Sequence, residues 1–299
     1  MPSVLITGAS GFVGENLARR LSPEDQLHLA YGTCKPQATG AATFQIELAR
    51  RDSFCRAMEN LAVDVVVHAA ALASPDACEK DPALAHAINV EGTDEVARWA
   101  AERGARLIYF STDQVFDGKK GFYVEQDVPC PVNIYGRTKV EAEERVIRRC
   151  SDWVILRLAL SYGAARGHRD DWTLRVRRAV AEGKTLRLFV DQIRTPAFAG
   201  DTAEAVHRLV RGVGRGMYHL GGAERLSRFA FGQKIARVFG LPLDRLVPAR
   251  MEEVQLVAPL VRDGSLVSTR ISMDLDLTLC DVDTGLSRQK KEEEAFGAR

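Results

Sequence analysis

The sequence carries almost no charge imbalance: 41 basic residues stand against 40 acidic ones, a formal net charge of +1 over 299 residues. Without an excess positive field there is little to attract a polyanion, so no nucleic-acid partner is expected. Long apolar runs are missing too. No stretch approaches the roughly 20 consecutive apolar residues of a membrane-spanning helix, so no membrane partner is expected. Residues Met1 to Ile6 pass straight into a glycine turn without a charged leader or cleavage site, which makes a cytoplasmic location the expectation. The six cysteines, at 34, 55, 78, 130, 150 and 280, lack the spacing of a metal knuckle or redox pair. Free thiols in a reducing compartment are the simplest reading. The six histidines include no His-x-x-x-His pair, so no metal site is expected.

What is present is the composition of a globular protein, 46% hydrophobic and 27% charged. Its length suggests about two domains. Short apolar runs alternate with longer helical patterns through the first half. Strands are expected at Ser3 to Ile6, Gln26 to Tyr31, Ala42 to Ile46, Val63 to His68, Arg106 to Phe110 and Trp153 to Leu158. Helices are expected at Glu15 to Leu21, Arg51 to Leu61, Pro82 to Arg103 and Tyr135 to Arg149. Such alternation builds right-handed βαβ units, and strands without polar alternation are buried on both faces. The expected fold is α/β, a doubly wound parallel sheet with a smaller C-terminal substrate domain. The division expected is 1–159 for the sheet domain, with 196–222 returning to it, and 160–195 plus 223–299 for the smaller one. The charged tail from Arg288 onward is expected to fray.

Between the first strand and helix stands Thr7-Gly8-Ala9-Ser10-Gly11-Phe12-Val13-Gly14. In a Rossmann dinucleotide site, Gly8 permits the tight turn, Gly11 lets backbone approach a pyrophosphate, and Gly14 lets helix and sheet pack closely. The free N–H groups of the helix start favour the phosphates. Ser10, Phe12 and Val13 join the three glycines as candidate cofactor contacts. After the second strand the chain reads Ala30-Tyr31-Gly32-Thr33-Cys34-Lys35, with no acid to hold an adenosine ribose. A carboxylate there would repel a 2′-phosphate, whereas Thr33 and Lys35 can bind one. NADP is therefore favoured over NAD.

Tyr135 and Lys139 are four residues apart on an expected helix, which puts both on one face. A free phenol, with a pKa near 10, is a poor proton carrier at neutral pH; a neighbouring ammonium is expected to lower that value. Ser111-Thr112 follows a strand, where a hydroxyl can hydrogen-bond a substrate carbonyl. Thr112, Tyr135 and Lys139 are the candidate catalytic residues for hydride transfer to a ketone.

These residues resemble the extended short-chain dehydrogenase/reductase superfamily. The run Ser111-Thr112-Asp113-Gln114-Val115-Phe116-Asp117-Gly118, followed by Pro131-Val132-Asn133-Ile134-Tyr135-Gly136-Arg137-Thr138-Lys139, is similar to the dTDP-4-dehydrorhamnose reductase branch. So are Asp191-Gln192 and Thr195-Pro196, while His68-Ala69-Ala70-Ala71 and Asn89 resemble the superfamily at large. The resemblance implies an NAD(P)H-dependent reductase of a nucleotide-linked 4-keto-6-deoxysugar, with Tyr135 giving the proton. It also implies that Glu47, Leu48, Ala69 and Ala70 meet the cofactor and that Asp113 touches the sugar. The segment holding Arg175, Arg177, Arg178, Arg187 and Arg194 corresponds to the region that grips the substrate's diphosphate, with Arg194 the preferred contact. A small-molecule nucleotide sugar is the expected partner, and a homodimer the expected assembly.

Two departures fall in the substrate half. Leu160 stands where the branch has tryptophan in R-T-S-W-V-Y-G, and Thr269 to Leu275 is a distorted R-P-x-x-S-x-L. Two alternatives stay open: an epimerase or dehydratase of nucleotide sugars, and a non-catalytic NADP-binding subunit like the regulatory subunit of methionine adenosyltransferase. Gln114, where dehydratases carry an acid, weighs against dehydration.

Overall fold

The computed structural model describes residues 1–21, 24–37, 40–164 and 171–297. Its centre is one seven-stranded sheet. The first four strands are β1 (Ser3–Thr7), β2 (Gln26–Tyr31), β3 (Ala42–Gln45) and β4 (Val65–His68). They are followed by β5 (Arg106–Thr112), β6 (Trp153–Leu158) and β7 (Gly216–Leu220). Their spatial order is β7-β6-β5-β4-β1-β2-β3, and every pairing is parallel. β4 and β5 are buried along their whole length, which is why Val65 to Val67 and Leu107 to Phe110 read as apolar runs without polar alternation.

Helices cover both faces, as expected for a doubly wound sheet. On one side Leu17, Val206 and Leu209 pack against Val4, Ile6 and Val154; on the other Val96, Trp99 and Val146 pack against Leu5, Val66 and Leu107. The strand order reverses between β1 and β4, so a crevice opens at the carboxyl ends of these two strands. The first glycine turn sits in it.

A third, smaller core is built from Tyr162, Val176, Phe231, Ile235, Leu246 and Leu286. It joins the helices Trp172–Ala181, Arg228–Phe239 and Val282–Gly297 to a parallel pair, Leu186–Phe189 with Leu246–Ala249. This core stands beside the sheet and supplies one wall of the cavity described below.

The structure revises two expectations. The tail is not frayed through its described length: Gln289 is fully buried and donates to Thr173 Oγ1 at 2.7 Å, while Glu292 pairs with Arg20 and Glu293 with Arg177. A narrow stripe of Val282, Gly285, Leu286 and Gln289 faces inward, and the charged run around it hides that stripe in the sequence. The other revision concerns Thr269 to Leu277. Ile271, Leu275 and Leu277 join the sheet-side core rather than the smaller one.

The long helix expected from Pro82 to Arg103 exists, but with an irregularity. Pro82–His86 and Gly92–Glu102 are α-helical, and Ala87–Glu91 between them is a π-helical turn. Such turns replace the ordinary hydrogen-bond spacing and are common at functional sites. Asn89 lies within it.

Candidate active site

The crevice at the reversal point has the shape a dinucleotide requires. Gly8 takes φ of +68°, and a Cβ there would run into the backbone of Ala69 and Ala70, 2.7 Å from the Ala70 nitrogen. A Cβ on Gly14 would overlap the carbonyl of Gly8. Turn, helix start and the end of β4 are thus pressed together in a way only glycine allows. The helix Phe12–Arg20 begins at Gly11 without a side-chain cap, so Phe12 and Val13 present N–H groups to the crevice. The Thr7 hydroxyl accepts from the Ala70 N–H at 3.3 Å and fixes the β4 end to β1. Thr33 and Lys35 lie exposed past the end of β2, and Ala9 is tied to that end by a hydrogen bond to the Ala30 carbonyl. Glu47 is exposed and Leu48 partly buried after β3, next to β2.

One turn along the sheet, Thr112 ends β5, and Tyr135 and Lys139 lie on the helix Ile134–Arg149. The helix start is set by Asn133, whose Oδ1 accepts from the Gly136 N–H at 2.8 Å. Its Nδ2 donates to Gln114 Oε1 at 3.0 Å and to the Pro259 carbonyl at 2.9 Å, so one side chain aligns helix, β5 exit and a distant loop. Asn89 does similar work from the π turn. Its Nδ2 donates to Thr138 Oγ1 at 3.0 Å and its Oδ1 accepts from the Leu72 N–H at 2.8 Å.

Tyr135 is buried, and that burial pushes its phenol above the ordinary value, with a hydrogen bond to Thr112 opposing the rise and the neighbouring Asp113 and Cys78 adding to it. The sequence-based expectation that Lys139 would lower this value is therefore not met. A phenol that holds its proton at neutral pH is a donor, as a reduction requires. Lys139, 2% exposed, is itself pushed down to about 7 by burial, with Glu143 raising it. Its Nζ stands 4.1 Å over the Tyr109 ring and meets no hydrogen-bond acceptor among the described residues.

Beneath these residues lies a buried polar layer. Glu143 accepts from Arg157 Nε at 3.0 Å and Nη2 at 2.8 Å, and from the Ser111 hydroxyl. Removing one partner of such a buried pair costs about 3–5 kcal/mol. His68 bridges Thr7 at 2.6 Å and Thr93 at 3.0 Å. Thr93 already donates to the Asn89 carbonyl, so it must accept from His68 Nε2–H, leaving Nδ1 to accept from Thr7. Burial holds this imidazole neutral, with its pKa near 3.

Above Thr112 and Tyr135 is a cavity of about 460 Å³. Leu158, Leu160 and Leu188 give it apolar surface, and Asp113, Gln192 and Arg194 give it polar surface. Thr112 donates to Asp113 Oδ1 at 3.1 Å. Arg194 Nε stands 3.0 Å from Asp113 Oδ2, off the line of a hydrogen bond, so this contact is an ion pair. Desolvation still outweighs Arg194 and holds the Asp113 pKa above the usual carboxylate range. The other Arg194 nitrogens donate to the Ile193 carbonyl at 2.6 Å and the Val261 carbonyl at 3.0 Å. Arg194 therefore reaches the cavity with its donors already engaged by the protein.

Arg228 is the opposite case. Its guanidinium stacks 3.9 Å over Trp172, whose ring in turn lies 4.9 Å from Phe231, and it meets no hydrogen-bond acceptor among the described residues. Burial, with Arg194 and Arg175 nearby, pushes its pKa down to about 9, the mark of a cation short of counter-charge. Arg187 also lines the cavity and pairs with Glu253 at its edge. Arg177 is turned away, against Phe239 and Glu293.

The model of the RmlD substrate binding domain family matches residues 2–294. The chain belongs to this family. Among its relatives is a probable low-salt glycan biosynthesis reductase of Haloferax volcanii, 33% identical, covering 79% of each chain. The methionine adenosyltransferase 2 subunit beta of Bos taurus is 31% identical, with 82% of this chain and 74% of that one covered. The crystal structure of dTDP-4-dehydrorhamnose reductase from Bacillus anthracis in complex with NADP superposes with a TM-score of 0.87. It is 26% identical and covers 97% of this chain and 99% of that one.

Within this RmlD-family chain, sequence reasoning missed Arg228 and Trp172. Arg228 had a readable signal: it is the first residue of a helix capped by Ser227, where the helix dipole disfavours a cation. Trp172 supplies an aromatic cavity wall from a different segment than Leu160, the residue standing at the family's tryptophan position. Thr269 to Leu275, by contrast, packs on the sheet, with Arg270 over Tyr218 and Tyr218 donating to Asp274 at 2.9 Å. No helix among the described residues is long and apolar enough to cross a membrane.

Proposed function

We propose that this protein is an NADPH-dependent reductase of a nucleotide-linked 4-keto-6-deoxysugar. The observation that carries the reading is the stacking of three features at one end of the sheet. A glycine-only crevice with an uncapped helix start lies beside Lys139, whose Nζ meets no acceptor among the described residues, and a cavity floored by Thr112 and Tyr135 lies above. Bound NADPH would supply the hydride that reaches the carbonyl carbon. Thr112 hydrogen-bonds the keto oxygen, and Tyr135 delivers its phenolic proton to that oxygen as the C=O π pair becomes the new O–H bond. Lys139 orients the nicotinamide ribose, Thr33 and Lys35 receive the 2′-phosphate, and Arg228 meets the diphosphate of the substrate. Arg194 holds Asp113 against the sugar. The smaller core with its wall residues acts as the substrate domain, and the sheet as the cofactor domain.

The test is oxidation of NADPH and of NADH in the presence of dTDP-4-keto-6-deoxysugars. Substrate-dependent oxidation that prefers NADPH supports the proposal. Tight NADPH binding with no oxidation by any such sugar favours a second reading, a cofactor-binding subunit, which the likeness to methionine adenosyltransferase 2 subunit beta motivates.

A further inference from the structure

Tyr135, Lys139 and Glu143 are spaced by four and lie on one face of a single helix, all three buried. The groups packed around Lys139 come from four elements: Tyr109 on β5, His68 on β4, Cys78 on the helix Pro75–Lys80, and Tyr135 and Glu143 on its own helix. His68 is neutral, held between two threonine hydroxyls. The Cys78 thiol is pushed up to about 11 by burial, and the Tyr135 phenol is raised by burial as well, so both keep their protons. Asp113, the other carboxylate near the floor, is engaged by Arg194 and Thr112. Glu143, ion-paired with Arg157 and one turn along the same helix face, is thus the carboxylate packed around Lys139. It cannot swing away, because Arg157 grips both its oxygens and Ser111 donates to one of them. Ser111 is the neighbour of Thr112, and it pairs with Arg157 across β5 and β6.

We propose that Glu143 is a positioning residue for the reaction: its anchored carboxylate keeps Lys139 an ammonium and, through Ser111, fixes the strand end that presents Thr112. Arg157 comes from β6 and lies 5.1 Å over the Phe116 ring, and of the two ends of the pair it is Glu143 that acts on Lys139. This inference rests on the reading of Lys139 given above, but its primary test needs no sugar.

The experiment is a pH titration of the full-length protein with ¹³Cε-labelled lysine, followed by NMR. The Lys139 signal is identified by its loss in Lys139→Met. Ordinary lysines titrate near a pKa of about 10.4, and Lys139 is expected well below them. In Glu143→Gln the Lys139 midpoint should fall further, by about one pH unit, a tenfold shift in the ammonium-to-amine ratio. Because that variant leaves Arg157 unpaired, the double variant Glu143→Gln/Arg157→Met keeps the test open if the single one does not fold. Glu143→Asp should return the midpoint towards the parent value. A folded Gln variant whose Lys139 midpoint is unmoved overturns the proposal and leaves Glu143 a purely structural partner of Arg157. In turnover, the alkaline limb of the rate profile should move to lower pH in step with the midpoint. Absence of turnover with every sugar would count against the proposed substrate and leave the titration readable.

Discussion

On the floor of the cavity, Thr112, Tyr135 and Lys139 come from two neighbouring elements, β5 and one helix, and the residues beneath them are tied into hydrogen bonds. On its outer wall, Trp172, Arg187 and Arg228 come from separate elements of the smaller core, and the Arg228 guanidinium meets no acceptor among the described residues. The floor is braced from beneath by Asn89, Asn133 and the Glu143–Arg157 pair, and Lys139 Nζ on it meets no acceptor among the described residues. The wall sets the Arg228 guanidinium on the Trp172 ring, away from any such brace. On the proposed function, this difference assigns proton delivery to the floor and recognition to the wall, so that each can be altered without the other.

The largest break in that separation should come from the floor. Tyr135→Phe removes the proton donor and should lower turnover by roughly 10²–10⁴-fold. Calorimetry should find NADPH affinity nearly unchanged; a variant that turns over at the parent rate would sink the assignment. Next in size is Arg228→Met. A hydrogen bond to a charged group is worth about 1.5–3 kcal/mol, so KM for a nucleotide sugar should rise by about 10–100-fold with kcat little changed. A fall in kcat with constant KM would mean that wall and floor are not separable.

Acid should expose the floor's other dependence. His68 and His219 are buried neutral with pKa values near 3, against 6.5 when free. The unfolded chain takes up protons below about 6.5 that the native one refuses, so their contribution is complete above that pH and lost as pH falls towards 3. Denaturation midpoints measured along this range should decline, and His219→Asn should flatten the slope. The smallest effect belongs to the exposed crevice edge. Lys35→Ala should weaken NADPH by several-fold and NADH hardly at all, as befits a solvated ion pair. Equal losses would remove Lys35 from the 2′-phosphate.

The floor was legible in the sequence because its residues are close in the chain and their spacing has a physical meaning. Gly8, Gly11 and Gly14 announce a tight βα turn, and Tyr135 and Lys139 share a helical face. The wall was not legible. Trp172 and Arg228 are 56 positions apart and meet only because the smaller core folds them together. Arg194 looked like an open cation and is engaged, since no local pattern reveals that the Val261 carbonyl comes back to meet it. The final helix was obscured for a related reason, a narrow inward stripe under a charged surface.

The π turn at Ala87–Glu91 has a consequence for how this chain tolerates change in length. A π turn is equivalent to one residue inserted into an α-helix, and every later side chain is rotated by about 100° relative to a regular helix. Deleting a single residue in this turn should let the helix run on in regular geometry and gain local stability. The same deletion would swing Asn89 away from Leu72 and Thr138, and with it the brace behind Tyr135. Here the better helix would be the worse protein, so an irregularity that looks like a fault in the backbone sets the alignment of the helix that carries Tyr135 and Lys139.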